Sequence, residues 1–252
     1  MTGVRSGIFA VVACLWTGLL FVVGLPILLL PRRFVQGLAR LWTRGLLVLL
    51  ACICGLNYRI VGREHLPAGP VIIAANHQSA WDTLVFHALL PDPVFVLKRE
   101  LLRVPFLGWY LSRAGNIAID RRAGFRALKL MLPHARRRLD EGAQVIVFPE
   151  GVRAAPGELQ PFQPGIAALY RAAAAPLVPA ALNSGLFWRR RSFTKRPGQI
   201  TLEFLPPLPG GLDREAFMTE LAARIGAAAS RLAAAATIEP AEKGDAKASG
   251  RL

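Results

Sequence analysis

Pro70-Val71-Ile72-Ile73-Ala74-Ala75-Asn76-His77-Gln78-Ser79-Ala80-Trp81-Asp82 is the stretch that decides how this chain is read. Its first six residues are a short apolar run, the signature of a buried strand, and a polar turn follows. Runs of the same kind recur outward from it, at residues 95–98, 116–119, 144–148, 177–182 and 199–204. A helix is expected over residues 124–140, where Leu128, Leu132, Ala135 and Leu139 repeat at helical spacing with arginines opposite. A last helix is expected from Asp213 to about Ala236, with Phe217, Leu221 and Ile225 on one face. Strands alternating with helices argue for an α/β fold, a mostly parallel sheet flanked by helices. Sites in such sheets gather beyond the carboxyl ends of the strands.

The chain has 252 residues, enough for one main domain with appendages. With 31 Lys and Arg against 16 Asp and Glu, its formal net charge is +15. Hydrophobic residues make up 53% and charged residues 19%. That excludes a disordered chain and points to membrane contact. The basic excess calls for anionic partners: lipid headgroups, phosphorylated substrates or nucleic acid. Cys14, Cys52 and Cys54 all lie in the apolar N-terminal part, which excludes a disulfide framework and leaves no zinc spacing with the four histidines.

Residues 7–30 carry no charge, and about 20 apolar residues suffice to cross a bilayer as a helix. The run is longer than the core of a signal peptide and ends in Pro31-Arg32-Arg33, so it reads as retained. A second apolar run, residues 45–56, is short for a span. A two-span hairpin, a hairpin embedded in one leaflet and a buried core helix all remain open for it. Arg32, Arg33, Arg40 and Arg44 flank the runs and are expected at headgroup level. The positive-inside rule conflicts with a plain two-span hairpin if the following domain is cytoplasmic, which favours the one-leaflet form.

His77 and Asp82 can make a general base with its orienting carboxylate. Residues five apart on an ideal helix lie about 140° from each other. A working pair therefore needs His77 on a turn before the helix begins. Taken alone, the spacing reads first as a surface histidine and a helix-start aspartate. Lys98 ends a second strand, Arg121 and Arg122 follow a third, and Glu150, Gly151 and Arg153 follow a fourth. Together they put a base and several cations on one edge of a parallel sheet, where arginine forks can grip phosphate.

Four ordered blocks over about residues 60–210 resemble the glycerolipid acyltransferase family, in particular its 1-acylglycerol-3-phosphate acyltransferases. Asn76-His77…Asp82 is similar to the His-x4-Asp block, and Gly115 to Arg121 to the second block. Phe148-Pro149-Glu150-Gly151-Val152-Arg153 resembles the FPEGTRS block, and Leu177-Val178-Pro179-Ala180 the proline block. Val152 stands where the family usually has Thr, Ala154 where it often has Ser, and Pro164-Gly165 replaces the common Lys-Gly.

The resemblance implies transfer of a fatty acyl group from acyl-CoA or acyl carrier protein to the sn-2 hydroxyl of lysophosphatidic acid, giving phosphatidic acid in phospholipid biosynthesis. His77 and Asp82 would be catalytic. Arg121, Glu150, Gly151, Arg153, Lys98 and Arg122 would bind substrate, with no metal and no cofactor. The expected organisation is a membrane-anchoring segment over residues 1–57, an acyltransferase domain over 58–236 and a disordered tail over 237–252. The expected location is a bacterial inner membrane, with the catalytic domain cytoplasmic and anionic lipids as partners. No cysteine lies near the blocks and no GxSxG elbow is present, which disfavours a covalent acyl-enzyme.

Two rivals stay open on the residues alone. One is acylation of another lyso-lipid, such as a lyso-ornithine lipid. The other is a non-catalytic basic protein that binds membrane or nucleic acid, against which the His-Asp pair argues. The cluster Trp188-Arg189-Arg190-Arg191 with Lys195 and Arg196 reads better as a membrane-facing loop than as a nucleic-acid patch, with an ordinary solvated loop still open.

Overall fold

A computed structural model describes residues 1–120, 123–158 and 160–238. The apolar N-terminus forms two helices, α1 (Thr2–Val23) and α2 (Arg32–Cys54), joined through a short 3-10 turn at Leu25–Leu29. The domain that follows runs β1 (Leu56–Val61), β2 (Val71–Ala75), α3 (Trp81–Leu89), β3 (Pro93–Lys98), α4 (Leu107–Arg113), β4 (Ile117–Ile119) and α5 (Phe125–Asp140). It ends with β5 (Gln144–Val147), α6 (Gly165–Ala172), β6 (Leu177–Leu182), β7 (Gly198–Phe204) and α7 (Arg214–Ile238). The strands make one seven-stranded sheet in the order β1-β7-β6-β2-β5-β3-β4. Every pairing is parallel except β6 with β7.

The all-apolar runs become the central strands because both faces of the sheet are covered. Every residue of β2, β5 and β6 is buried. Alternate residues of β2 serve opposite layers. Val71, Ile73 and Ala75 meet Leu46, Leu47 and Leu50 of α2 and Trp81, Leu84 and Val85 of α3. Ile72 and Ala74 join Met131, Ala135 and Leu139 of α5, Ile166 and Leu169 of α6, and Phe217, Leu221 and Ile225 of α7. Because β6, β2, β5, β3 and β4 run the same way, their carboxyl ends share one edge.

The second apolar run is the end of a 23-residue helix that reaches back through the arginines. Three of those arginines reach back to the domain, while Arg33 stays exposed over the Phe34 ring. Arg32 pairs with Asp92 and donates to the Ala114 carbonyl, Arg40 donates to the Pro91 carbonyl, and Arg44 to the Ala88 carbonyl. Gln36, which is buried, donates to the carbonyls of Pro93 and Ala114. Carbonyls at strand and helix ends lack partners within their own elements, and guanidinium groups supply the missing donors. Thus α2 is a layer of the domain, and α1 packs outside it. Trp16 of α1 donates its indole N–H to the Trp42 carbonyl, and Trp42 donates to Thr17 Oγ1. At Gly55, φ is +65°, the left-handed turn that ends α2 and starts β1. The expected tail over residues 237–252 falls almost wholly outside the described residues.

The α1–α2 contact closes over Gly45, where an added Cβ would lie 2.5 Å from the Trp16 indole. Helix propensity alone predicts that Gly45→Ala gains up to about 1 kcal/mol. Overpacking against a hydrogen-bonded indole costs about 1–3 kcal/mol and should dominate. Thermal unfolding of the detergent-solubilised protein checks this: Gly45→Ala should lower Tm, and a raised Tm would show that the two helices separate freely there.

Candidate active site

His77 sits on the turn between β2 and α3, at the carboxyl edge of the sheet. Asn76 continues the β2–β6 ladder with its side chain. Its Nδ2 donates to the Leu182 carbonyl and its Oδ1 accepts the Leu182 N–H, both at 2.9 Å. The turn then curls so that Asp82, in the first turn of α3, reaches back to it. Asp82 Oδ2 accepts the N–H of Gln78 at 2.8 Å, the N–H of Ser79 at 2.9 Å and a bond from His77 Nδ1 at 2.8 Å. Since a carboxylate only accepts, Nδ1 carries the proton and Nε2 presents its lone pair. The imidazole stacks on Phe148 at 4.0 Å between ring centres, 16° from parallel, which fixes the ring plane.

The loop after β5 closes the other side. Gly151, at φ +71°, turns the chain back so that the Ala154 N–H reaches the His77 carbonyl at 2.8 Å. That return lets Arg153 Nε donate to His77 Nε2 at 3.3 Å, the ring nitrogen that carries no proton. Glu150 points inward, almost fully buried. Its Oε1 accepts the His77 N–H at 3.0 Å and its Oε2 the Gln160 N–H at 3.4 Å. Burial raises the Glu150 carboxyl from 4.5 to about 7, the two N–H donors oppose that rise, and neighbouring Asp82 adds to it.

His77, Asp82, Glu150, Gly151 and Arg153 thus meet in one place. Lys98 is at the same sheet edge but is half exposed and pairs with Glu100 at 3.1 Å. Arg121 and Arg122 lie outside the described residues. Phe148 and Ser184 carried no expected role. Phe148 lies inside a quoted block, and Ser184 follows β6, so asking what stands beyond each parallel strand would have found both. The 186–196 loop is folded inward more than expected. Lys195 is buried among the rings of Phe9, Trp188 and Phe193 and donates to the Phe193 carbonyl, while Arg189, Arg190, Arg191 and Phe193 stay exposed.

A cavity of about 790 Å³ opens beside this site between β4, β5, α5 and α6. Its walls include Val96, Leu128, Met131 and Ile166, and its rim is the Phe148–Val152 loop.

A histidine held in one tautomer, with an arginine at its unprotonated nitrogen and an apolar cavity alongside, suits an enzyme that moves an acyl group onto a hydroxyl. The chain belongs to the acyltransferase family, whose family model matches residues 57–183. It is 36% identical over 196 residues to the 1-acyl-sn-glycerol-3-phosphate acyltransferase of Pseudomonas aeruginosa, covering 78% of this chain and 76% of that one. It is 33% identical over 199 residues to the human 1-acyl-sn-glycerol-3-phosphate acyltransferase alpha, covering 77% and 69%. Its fold matches the crystal structure of the acyltransferase PlsC from Thermotoga maritima, with a TM-score of 0.75 at 20% identity, over 92% of this chain and 99% of that one.

The raised Glu150 carboxyl has a consequence for stability. The folded chain keeps this proton at pH values where the unfolded chain has released it. This group's contribution therefore declines as pH rises from about 4.5 to about 7 and then levels. Glu150→Gln removes the titration. In denaturant unfolding between pH 5 and pH 8, wild type should lose stability relative to Glu150→Gln as pH rises. Parallel pH curves for the two proteins would mean that Glu150 stays ionised throughout.

Proposed function

We propose that this enzyme transfers a fatty acyl group from acyl-CoA or acyl carrier protein to the sn-2 hydroxyl of 1-acylglycerol-3-phosphate, making phosphatidic acid for phospholipid synthesis. The observation that carries the reading is Arg153 Nε at 3.3 Å from His77 Nε2. In this acceptor the phosphate ester and the free hydroxyl sit on adjacent carbons. A cation that holds the phosphate must therefore lie next to the base, as Arg153 does. When a phosphate draws the guanidinium to itself, the Nε2 lone pair is left to the hydroxyl.

His77 then takes the hydroxyl proton at Nε2 as the oxygen attacks the thioester carbonyl. Asp82 stabilises the imidazolium that forms, and the proton returns to the departing thiolate. No enzyme nucleophile is required. The base is worth about 10²–10⁴-fold, and positioning of the two substrates supplies more. Glu150 and Gly151 serve the headgroup site through the shape of the loop that presents Arg153. Arg121 and Arg122 are kept as further headgroup cations on their motif block, and Lys98 as an outer one. The apolar cavity beside Val152 suits an acyl chain.

For the membrane, we propose that the hairpin lies in one leaflet of a bacterial inner membrane, with the catalytic domain on the cytoplasmic side. Two features support this. α2 is hydrogen-bonded to the domain through its first half and packed into its core through Leu46, Leu47 and Leu50, so it does not stand clear to cross a bilayer. α1 exposes Ile8, Val11, Leu15, Leu19 and Val22 at helical spacing, a stripe suited to lipid tails. Replacing Val11, Leu15 and Leu19 with Ser should move the protein from the membrane fraction toward the soluble one while leaving turnover on detergent-dispersed lyso-lipid within about threefold. Undiminished sedimentation with vesicles would place the anchor elsewhere.

Purified protein, an acyl thioester and a panel of lyso-lipids test the chemistry. His77→Ala should lower kcat by about 10²–10⁴-fold, and Asp82→Asn nearly as much, with the fold intact by circular dichroism. Near-normal turnover in folded His77→Ala contradicts the mechanism. Arg153→Lys keeps the charge but loses the fork, so kcat/KM on lysophosphatidic acid should fall about 10–100-fold, mostly through KM. A phosphate-free acceptor such as a lyso-ornithine lipid should lose little. Equal losses on both would assign Arg153 to the fold or the donor, and a wild-type preference for the phosphate-free acceptor would overturn the assigned substrate.

A further inference from the structure

Asp82 has two carboxylate oxygens, and only Oδ2 is served by its own turn. Oδ1 faces the start of the 3-10 turn at Ser184–Leu186, just beyond β6, where Ser184 Oγ donates to it at 2.5 Å. Both residues are fully buried. The serine is held in turn from several directions. Asn183 before it accepts the Thr201 N–H and donates to the Leu232 carbonyl, fixing the end of β6 to β7 and α7. Gly185 after it donates its N–H to Gln78 Oε1. An added Cβ at Gly185 would come within 2.9 Å of Gln78 Cβ, so the two turns are packed without slack. The Ser184 carbonyl accepts the N–H of Phe187 and of Trp188, and Trp188 packs edge-on to Phe9 of α1.

We propose that Ser184 is a positioning residue of acyl transfer, completing a Ser184–Asp82–His77 chain in which its hydroxyl holds the Asp82 carboxylate ionised and oriented toward His77. The inference rests on the reading of His77 and Asp82 as the catalytic pair. A buried carboxylate that loses a donor is penalised most when nothing else neutralises it. That is the working state, with His77 neutral. The state with an extra proton on the pair is penalised less. Removing the Ser184 hydroxyl therefore shifts the pair toward its protonated, inactive form. Ser184 touches no substrate, so the effect belongs in kcat. Among the described residues, the charged groups bonded at or next to the pair are Arg153 at Nε2, Glu150 behind the His77 backbone N–H, and Arg190, which bonds the Arg153 carbonyl. All three are kept in the variants below, and because Asp82→Asn also removes a neighbouring charge that raises Glu150, pH profiles are compared only between proteins that keep Asp82.

The test uses the full-length protein with lysophosphatidic acid and acyl-CoA. Ser184→Ala should lower kcat about 10–100-fold at pH 7 with both KM values within about twofold. The acid limb of its kcat profile should move up by about one pH unit, so that the loss is greater at pH 6 than at pH 9. Ser184→Cys, with similar volume and a weaker donor, should fall between the two and gives a second reading if the alanine variant folds poorly. On an Asp82→Asn background, Ser184→Ala should cost no more than about threefold, because the anion it serves is gone. A kcat within about twofold of wild type, an equal loss at every pH, or full additivity with Asp82→Asn would each overturn the proposal. His77→Ala is measured alongside. If it stays active the base assignment itself fails, and if it is inactive while Ser184→Ala is normal, only the role of Ser184 fails.

Discussion

Asp82 holds a carboxylate that is wholly out of water, and the rest of the site is organised around its need for donors. A buried ion costs several kcal/mol unless hydrogen bonds replace its hydration. Two of the four hydrogens come from the backbone of its own turn, one from His77 and one from a serine 102 residues away. The last is available only if β6 lies beside β2, which the sheet order secures. Asn76, by lending its side chain to the β2–β6 ladder, carries that adjacency one residue beyond the strands to where the chemistry begins. The same constraint fixes the histidine tautomer, because a carboxylate at Nδ1 leaves Nε2 as the acceptor. General-base chemistry follows from the way the carboxylate is satisfied.

The N-terminal helices are bound into this architecture. α2 supplies one face of the core and caps carbonyls at the ends of α3 and α4 and at the start of β3. α1 adds a lipid-suited outer face and, through Phe9, Trp188 and Lys195, touches the loop that begins at Ser184. The apolar surface and the catalytic edge are thereby held in a fixed relation. That arrangement suits an enzyme whose proposed acceptor has its tails in a bilayer and its hydroxyl at the surface.

The sheet was legible because its central strands are uninterrupted apolar runs. Those runs mark burial on both faces and hence parallel pairing. β1 was not legible: Asn57, Arg59 and an exposed Tyr58 interrupt it, as befits an edge strand with only Leu56 fully buried. α2 was foreshortened because Arg32, Arg40 and Arg44 read as solvent or headgroup charges. Their partners are carbonyls about 44 to 82 residues away, which no local pattern reveals. α6 is eight residues, too short for a periodic signal. In the site, His77, Asp82 and Arg153 stand in compact motifs and were found. Ser184 and the stacking role of Phe148 exist only through tertiary neighbours.

The central claim is that one acceptor molecule bridges Arg153 and His77, its phosphate on the guanidinium and its hydroxyl on Nε2. The most direct measurement is an experimental structure of the wild-type protein with lysophosphatidic acid and no acyl donor. The account predicts the sn-2 hydroxyl oxygen about 2.6–3.2 Å from Nε2, with the Arg153 fork turned from the imidazole onto the phosphate. A headgroup bound away from Arg153, or a hydroxyl beyond reach of Nε2 with the fork still on the histidine, would contradict it.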